Sequence, residues 1–219
     1  MFDADAERRI REVLSRHPVV AAVQSVEIRY PDRVFVRVKV RQPAAWFEVT
    51  DERGDRGYLL VSTDGRILDR QCYRHYLRRL RVPLPKVSGV RARPPAWLGE
   101  IWEDLPEQVA EGIAASAVAA RLYRDFKGTL YVRSIDVAAF PAPPSLRRQG
   151  EVRFVLHDGT VVEWGRTDRD HDGVASEDTY ETKQWRLATT LARRPPRTTS
   201  RIDVRYRLPG EGRPVAYRR

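Results

Sequence analysis

From Ser25 to Trp46 apolar and polar residues alternate almost without a break. Val26, Ile28 and Tyr30 alternate with Glu27 and Arg29; Val34, Val36, Val38 and Val40 then alternate with Phe35, Arg37, Lys39 and Arg41. Successive strand side chains point to opposite faces, so each run places an apolar row on one face. Pro31-Asp32 lies between the runs and suits a short reversing loop. The pattern predicts an antiparallel hairpin with a buried valine face and a basic, partly aromatic outer face. Gln42-Pro43 ends it, because proline cannot donate to the ladder. Upstream the period changes. Asp3 can cap a helix running to about Arg16, with Ala6, Ile10, Val13 and Leu14 on one face, closed by His17-Pro18. Val19 to Gln24 is expected to form one short helical turn. A sheet of two strands rarely stands alone, so a missing strand or a docked neighbour is expected beside the hairpin.

A second region opens near Trp46. GYLLVSTDGRILD, Gly57 to Asp69, holds two apolar runs joined by Thr63-Asp64-Gly65, a good hairpin turn. Val82-Pro83-Leu84-Pro85 and Arg93-Pro94-Pro95 read as a rigid connection without regular structure. Pro106 fits the first turn of a helix reaching about Phe126, with Val109, Ile113, Ala117 and Ala120 as its apolar stripe and Lys127-Gly128 as its stop. Thr129 to Phe140 reads as a strand and Pro141 to Gln149 as a loop. EVRFVLHDGTVVEWG, Glu151 to Gly165, is another strand pair around Asp158-Gly159. Asp178 with Glu181 forms a capping box for a helix from Thr179 to Arg194, with Trp185, Ala188 and Leu191 inward and Pro195-Pro196 at its end. Ser200 to Arg219 holds two further strands, RIDVRY and PVAYRR. The fold class is α+β: a helix-hairpin unit, then a mainly antiparallel β-domain with two helices.

Composition narrows the classes. The 219 residues are enough for one or two domains. No apolar run approaches the roughly 18 residues of a membrane span, and MFDADAERRI lacks the apolar stretch of a signal peptide, so the chain as written is expected to be soluble. The single cysteine, Cys72, excludes an internal disulfide. The net charge of +10 is spread over many segments with no stripe interleaved with aromatics, which leaves a nucleic-acid reading weak.

Taken in order, these segments resemble the extracytoplasmic part of the FtsQ/DivIB family of bacterial cell-division proteins. His17-Pro18-Val19-Val20-Ala21-Ala22-Val23, Val26, Tyr30-Pro31 and the valine row to Pro43-Ala44 are similar to the end of that family's POTRA domain. LVSTDGRIL resembles its β-domain hairpin, Leu84-Pro85 to Gly89 its "LP.l.G" element, and VRFVLHDGTVVEWG a second hairpin. Lys183 and Trp185 to Leu191 resemble its last helix, and IDVRY its "iDlRy" strand. Three departures stand out: the family's membrane helix and first POTRA strand and helix have no counterpart before Met1, Ser25 is a one-residue insertion, and Arg41 stands where glutamate is usual. The resemblance implies a partial POTRA-like domain over 1–43 and an FtsQ-type β-domain over 44–219. It implies a non-enzymatic scaffold at the septum that joins FtsB-like and FtsL-like bitopic proteins and helps regulate peptidoglycan synthesis. Its place would be outside the cytoplasmic membrane (the periplasm), anchored by a helix absent from this chain. The mode it implies is strand addition at the C-terminal edge, Pro214 to Arg218 beside Ile202 to Tyr206. The partner-binding residues would be Ile202, Val204, Tyr206, Val215 and Tyr217, with the two tyrosines as aromatic anchors; ordinary sheet packing is the alternative for each.

Rival chemistry is thin. Asp168, Asp170, Asp172 and Gly173 match the start of an EF-type calcium loop, but position 12 is Thr179 rather than the bidentate glutamate. The segment reads as an acidic turn, and no metal site is assigned. His17, His75, His157 and His171 never take metal-ligand spacing. No nucleophile elbow, Walker loop or dinucleotide fingerprint is present. Glu100, Glu103 and Asp104 sit at a helix start, and Trp97 with Trp102 reads as core or junction packing rather than an exposed adhesive patch. No catalytic residue, cofactor or small-molecule substrate is expected. The alternative function is a basic binding module for an anionic polymer or nucleic acid, which steep weakening by salt would reveal.

Overall fold

The computed structural model describes residues 4–29, 32–50, 56–70, 83–102, 105–141, 151–167, 179–193 and 201–205. Helix α1 (Ala4–Ser15) leads into β1 (Val20–Arg29) and β2 (Arg33–Val40), an antiparallel pair forming a sheet of its own. Asp3 and Tyr30-Pro31 lie outside the described residues. The short helical turn expected over Val19 to Gln24 is replaced by strand: β1 starts at Val20, and two register shifts absorb the run Ala21 to Ser25. Bulges let a strand carry extra residues without losing its faces. Val20, Val23, Val26 and Ile28 therefore still pair with Val40, Val38, Val36 and Val34 on one face.

That face is not buried as expected. α1 packs on β1, so Val20 and Val26 are buried, whereas Val34, Val36 and Val40 of β2 remain 48%, 40% and 53% exposed. One helix is too narrow to cover both strands. Val13 points away as well, exposed on α1 while Ala6, Ile10 and Leu14 are half-buried. Arg11 anchors the helix by donating to the Val23 carbonyl at 3.1 Å.

The second sheet has eight strands. Its elements are β3 (Pro43–Thr50), β4 (Arg56–Ser62), β5 (Ile67–Asp69), β6 (Lys86–Ser88), β7 (Val132–Asp136), β8 (Arg153–Leu156), β9 (Val161–Glu163) and β10 (Arg201–Asp203). The order β10-β9-β8-β7-β6-β3-β4-β5 describes two antiparallel meanders, β3-β4-β5 and β7-β8-β9, joined by β6, with β10 added parallel to β9. β6 runs parallel to both neighbours, pairing Val87 with Phe47 and with Ile135. The stretch expected to lack regular structure between its prolines thus supplies the central strand. β3 is a second addition to the sequence reading, with Ala45 and Phe47 fully buried. The expected hairpins at Gly57–Asp69 and Glu151–Gly165 are present as β4-β5 and β8-β9.

Helix α2 (Glu107–Asp125) is capped by Pro106, and Lys127 and Gly128 turn the chain away with positive φ. Its buried arc runs through Val109, Gly112, Ile113, Ser116, Ala119 and Leu122. The expected stripe was rotated, since Ala117 is exposed. Gly112 sets the approach: a Cβ there would lie 2.9 Å from Val87 and 3.0 Å from Phe47. Helix α3 (Tyr180–Ala192) starts from Thr179, with Asp178 outside the described residues. It buries Tyr180, Lys183, Arg186 and Leu187. Trp185, expected inward, is 40% exposed. The core is continuous from Val61 and Ile67 through Val87 and Ile135 to Val162 and Val204. Among the described residues no helix is long and apolar enough to cross a membrane.

The contact at Gly112 generates a stability prediction. Gly112→Leu should destabilise the chain by about 1–3 kcal/mol in chemical denaturation, because overpacking outweighs the gain in helix propensity. Ala117→Leu, on the exposed side of the same helix, should be nearly neutral.

Candidate partner-binding edge

The two edges of the large sheet are treated differently. At the β5 edge the chain covers itself. The Ile67 amide donates to the Glu100 carbonyl at 3.0 Å, the Gly99 amide to the Ile67 carbonyl at 2.8 Å, and Arg66 bridges to Ile101. At the other edge β10 is the last strand, and no strand among the described residues pairs with its outer side. β10 lies parallel to β9, with Arg201, Ile202 and Asp203 opposite Val161, Val162 and Glu163.

A lattice of charge-assisted bonds holds this short strand. The Glu163 carboxylate, almost fully buried, receives Arg201 at 2.8 Å and Arg153 at 3.2 Å. The Val204 amide donates to the Glu163 carbonyl at 3.2 Å. From α3 the buried Arg186 donates to the Val204 carbonyl at 3.1 Å. Arg205 forks onto its near neighbour Asp203, at 3.0 and 2.7 Å. Burial alone would raise the Asp203 carboxyl, but the Arg205 guanidinium and backbone N–H, with the Arg201 charge, outweigh it and hold the group below its usual range. Each buried ion thus has a partner, which a low-dielectric site requires.

The same region carries a second tier. Arg166 clasps the buried Glu151 at 2.6 and 3.2 Å, and Lys183 donates to the Arg166 carbonyl at 2.9 Å. Glu111 of α2 accepts from the Thr167 amide at 2.8 Å and its hydroxyl at 3.0 Å. Tyr180 donates to Asp125 at 2.7 Å beneath the Arg121 guanidinium; burial first, then that bond, push its hydroxyl well above the usual tyrosine range. These contacts fix α3 against α2 and the β9-β10 margin.

The residues expected to touch a partner fall in two groups. Ile202 and Val204 sit on β10 and just after it, but both are buried in the core. They position the edge rather than present it; the exposed side chains there are Arg201 and Asp203. Tyr206, Val215 and Tyr217, with the expected strand Pro214 to Arg218, lie outside the described residues, as do Asp168, Asp170 and Asp172. Among the described residues no cluster of three His, Cys, Asp or Glu side chains is gathered as for a metal. Sequence reasoning missed Glu163, Arg153 and Arg186. The signal was an acid inside the apolar run Val161 to Trp164, which needs a buried cation.

Trp97 and Trp102 separate. Trp102 is buried against Phe47, ring centres 6.0 Å apart, as expected of a core residue; Trp97 is 72% exposed. Trp97 stands at the rim of a cleft of about 1200 Å³ lined by Val49, Arg66, Arg70, Arg91, Pro94 and Ile101 among others. Three of its four arginines are tied to carbonyls: Arg66 to Gly99 at 2.7 Å, Arg70 to Pro95 at 2.5 Å, Arg91 to Ala138 at 3.1 Å.

Two measurements check this edge. Glu163→Gln should cost about 1–3 kcal/mol, since Arg153 and Arg201 lose their charged acceptor, and should speed amide exchange at Ile202 to Val204 before the rest of the sheet. Because Asp203 is depressed in the native state, its contribution is complete above the ordinary aspartate pKa of about 3.9. It is lost as pH falls through the lower native value. An acid titration followed by NMR should show the Arg205 amide losing its Asp203 acceptor below that range, while Arg205→Lys should move the Asp203 midpoint upward.

Compared with known proteins, the chain matches no protein-family model and no curated protein.

Proposed function

We propose that the chain is a non-enzymatic scaffold of the bacterial division complex. It binds small bitopic division proteins, FtsB-like and FtsL-like, by adding a partner strand at the C-terminal edge of its large sheet. In doing so it helps regulate septal peptidoglycan synthesis. On this reading the region lies outside the cytoplasmic membrane and is held to it by a membrane helix, as the resemblance implies. The observation that carries the reading is the asymmetry of the edges: the chain covers β5 with residues 99–101, whereas β10 is clamped on its inner side and no strand among the described residues lies on its outer side. Main-chain pairing at such an edge supplies affinity, and the motif order resembling the FtsQ/DivIB β-domain supplies the partner class.

A second reading, a basic module for an anionic polymer, has the arginine-lined cleft beside Trp97 in its favour. The guanidiniums of Arg66, Arg70 and Arg91 there already donate to backbone carbonyls. That ties up part of their donor capacity and favours the first reading.

Affinity capture from cell membranes with the intact chain and with Val215→Pro separates the two. Proline removes a backbone donor from the expected last strand. The scaffold reading predicts that small bitopic division proteins come down with the intact chain, insensitive to salt, and are lost with the variant. Capture of neither, together with polymer binding by both that collapses as salt rises, would overturn it.

A further inference from the structure

The small β1-β2 sheet carries a feature that the large-sheet reading does not use. Its paired residues sort cleanly by face: the apolar side holds Val20, Val23, Val26 and Ile28 with Val40, Val38, Val36 and Val34. α1 covers the β1 half of that side. The β2 half is a bare valine row three of whose members are 40–53% exposed, next to an eight-residue strand with no further strand beside it among the described residues. A single exposed valine is unremarkable; a row of three along one strand face is a docking surface.

The other face of β2 is cationic. Arg29 is taken by Glu27 at 2.8 Å and stacks on Phe35 at 4.7 Å. Arg33, Arg37 and Lys39 form no ion pair among the described residues. Cations on an edge repel a second copy, since pairing β2 with itself would align like charges, which is how sheet proteins discourage self-association. The same charges attract a strand of opposite sign.

We infer that β2 accepts an extended segment of a separate partner chain whose residues alternate apolar and acidic. The segment's apolar side chains close over Val34, Val36 and Val40. Its carboxylates stand opposite Arg33, Arg37 and Lys39, and its backbone extends the β1-β2 ladder to three strands. This site is independent of the β10 edge, and either can fail without the other.

The probe is an eight-residue peptide alternating valine and glutamate, labelled for fluorescence anisotropy and titrated against the full chain. Controls are the valine–lysine alternate and a block peptide of four valines then four glutamates. The inference expects binding of the valine–glutamate peptide at least tenfold tighter than either control. Arg37→Glu combined with Lys39→Glu, at exposed positions, should reverse the preference toward the valine–lysine peptide. Val36→Lys should abolish binding of the valine–glutamate peptide, with circular dichroism unchanged. Equal binding of the glutamate and lysine alternates, equal binding of the block peptide, or dimerisation of the chain through β2 in sedimentation would each overturn it.

Discussion

The fold hangs on a seam. The large sheet holds two antiparallel meanders, with β10 added parallel at one margin, and among the described residues only β6, Lys86 to Ser88, joins them. Three residues give few ladder bonds, so backbone pairing alone would leave the halves weakly coupled. The coupling comes from above, where α2 lies directly across the seam with Gly112 against Val87 of β6 and Phe47 of β3. A glycine in mid-helix costs helix propensity, and here the close approach it permits buries the one strand shared by both meanders. Gly89, φ +88°, turns the chain immediately after β6, where a Cβ would collide with the Ala138 backbone.

Three strand edges receive three physical treatments. The β5 edge is paired off by the chain itself. The β10 edge is fixed from within by Glu163, Arg153, Arg201 and Arg186, whose buried charges are satisfied by one another and by the backbone. The β2 edge is blunted by charge. Such devices differ in what they exclude: covering excludes every partner, whereas cations exclude copies of the chain and leave acidic strands free to approach.

Much of this was legible in the residues. The turns at Thr63-Asp64-Gly65 and Asp158-Gly159 marked both hairpins, and Pro106 with Lys127-Gly128 bounded α2. β6 was not legible: Lys86-Val87-Ser88 is too short for a period, and its strand character comes from Phe47 and Ile135 on either side. The alternation of β2 was read correctly and its burial was not, because period assigns a face while only a neighbour can cover it. Trp185 was placed inward on spacing alone; Lys183 and Arg186 take the buried arc instead, drawn by the Arg166 and Val204 carbonyls. The parallel pairing of β10 with β9 joins residues about forty apart, and local pattern carries no trace of it.

The most direct test of the account is an isotope-filtered NMR measurement on the labelled chain with the unlabelled extracytoplasmic segments of FtsB-like and FtsL-like proteins. Strand addition brings backbones to about 4.8 Å, close enough for interchain amide and α-proton cross-peaks. The account predicts a regular ladder of such peaks on the strand edge formed by Arg201 to Asp203 and the C-terminal residues that follow. A complex whose interchain peaks arise only from the cleft around Trp97, with that edge unchanged, would contradict it.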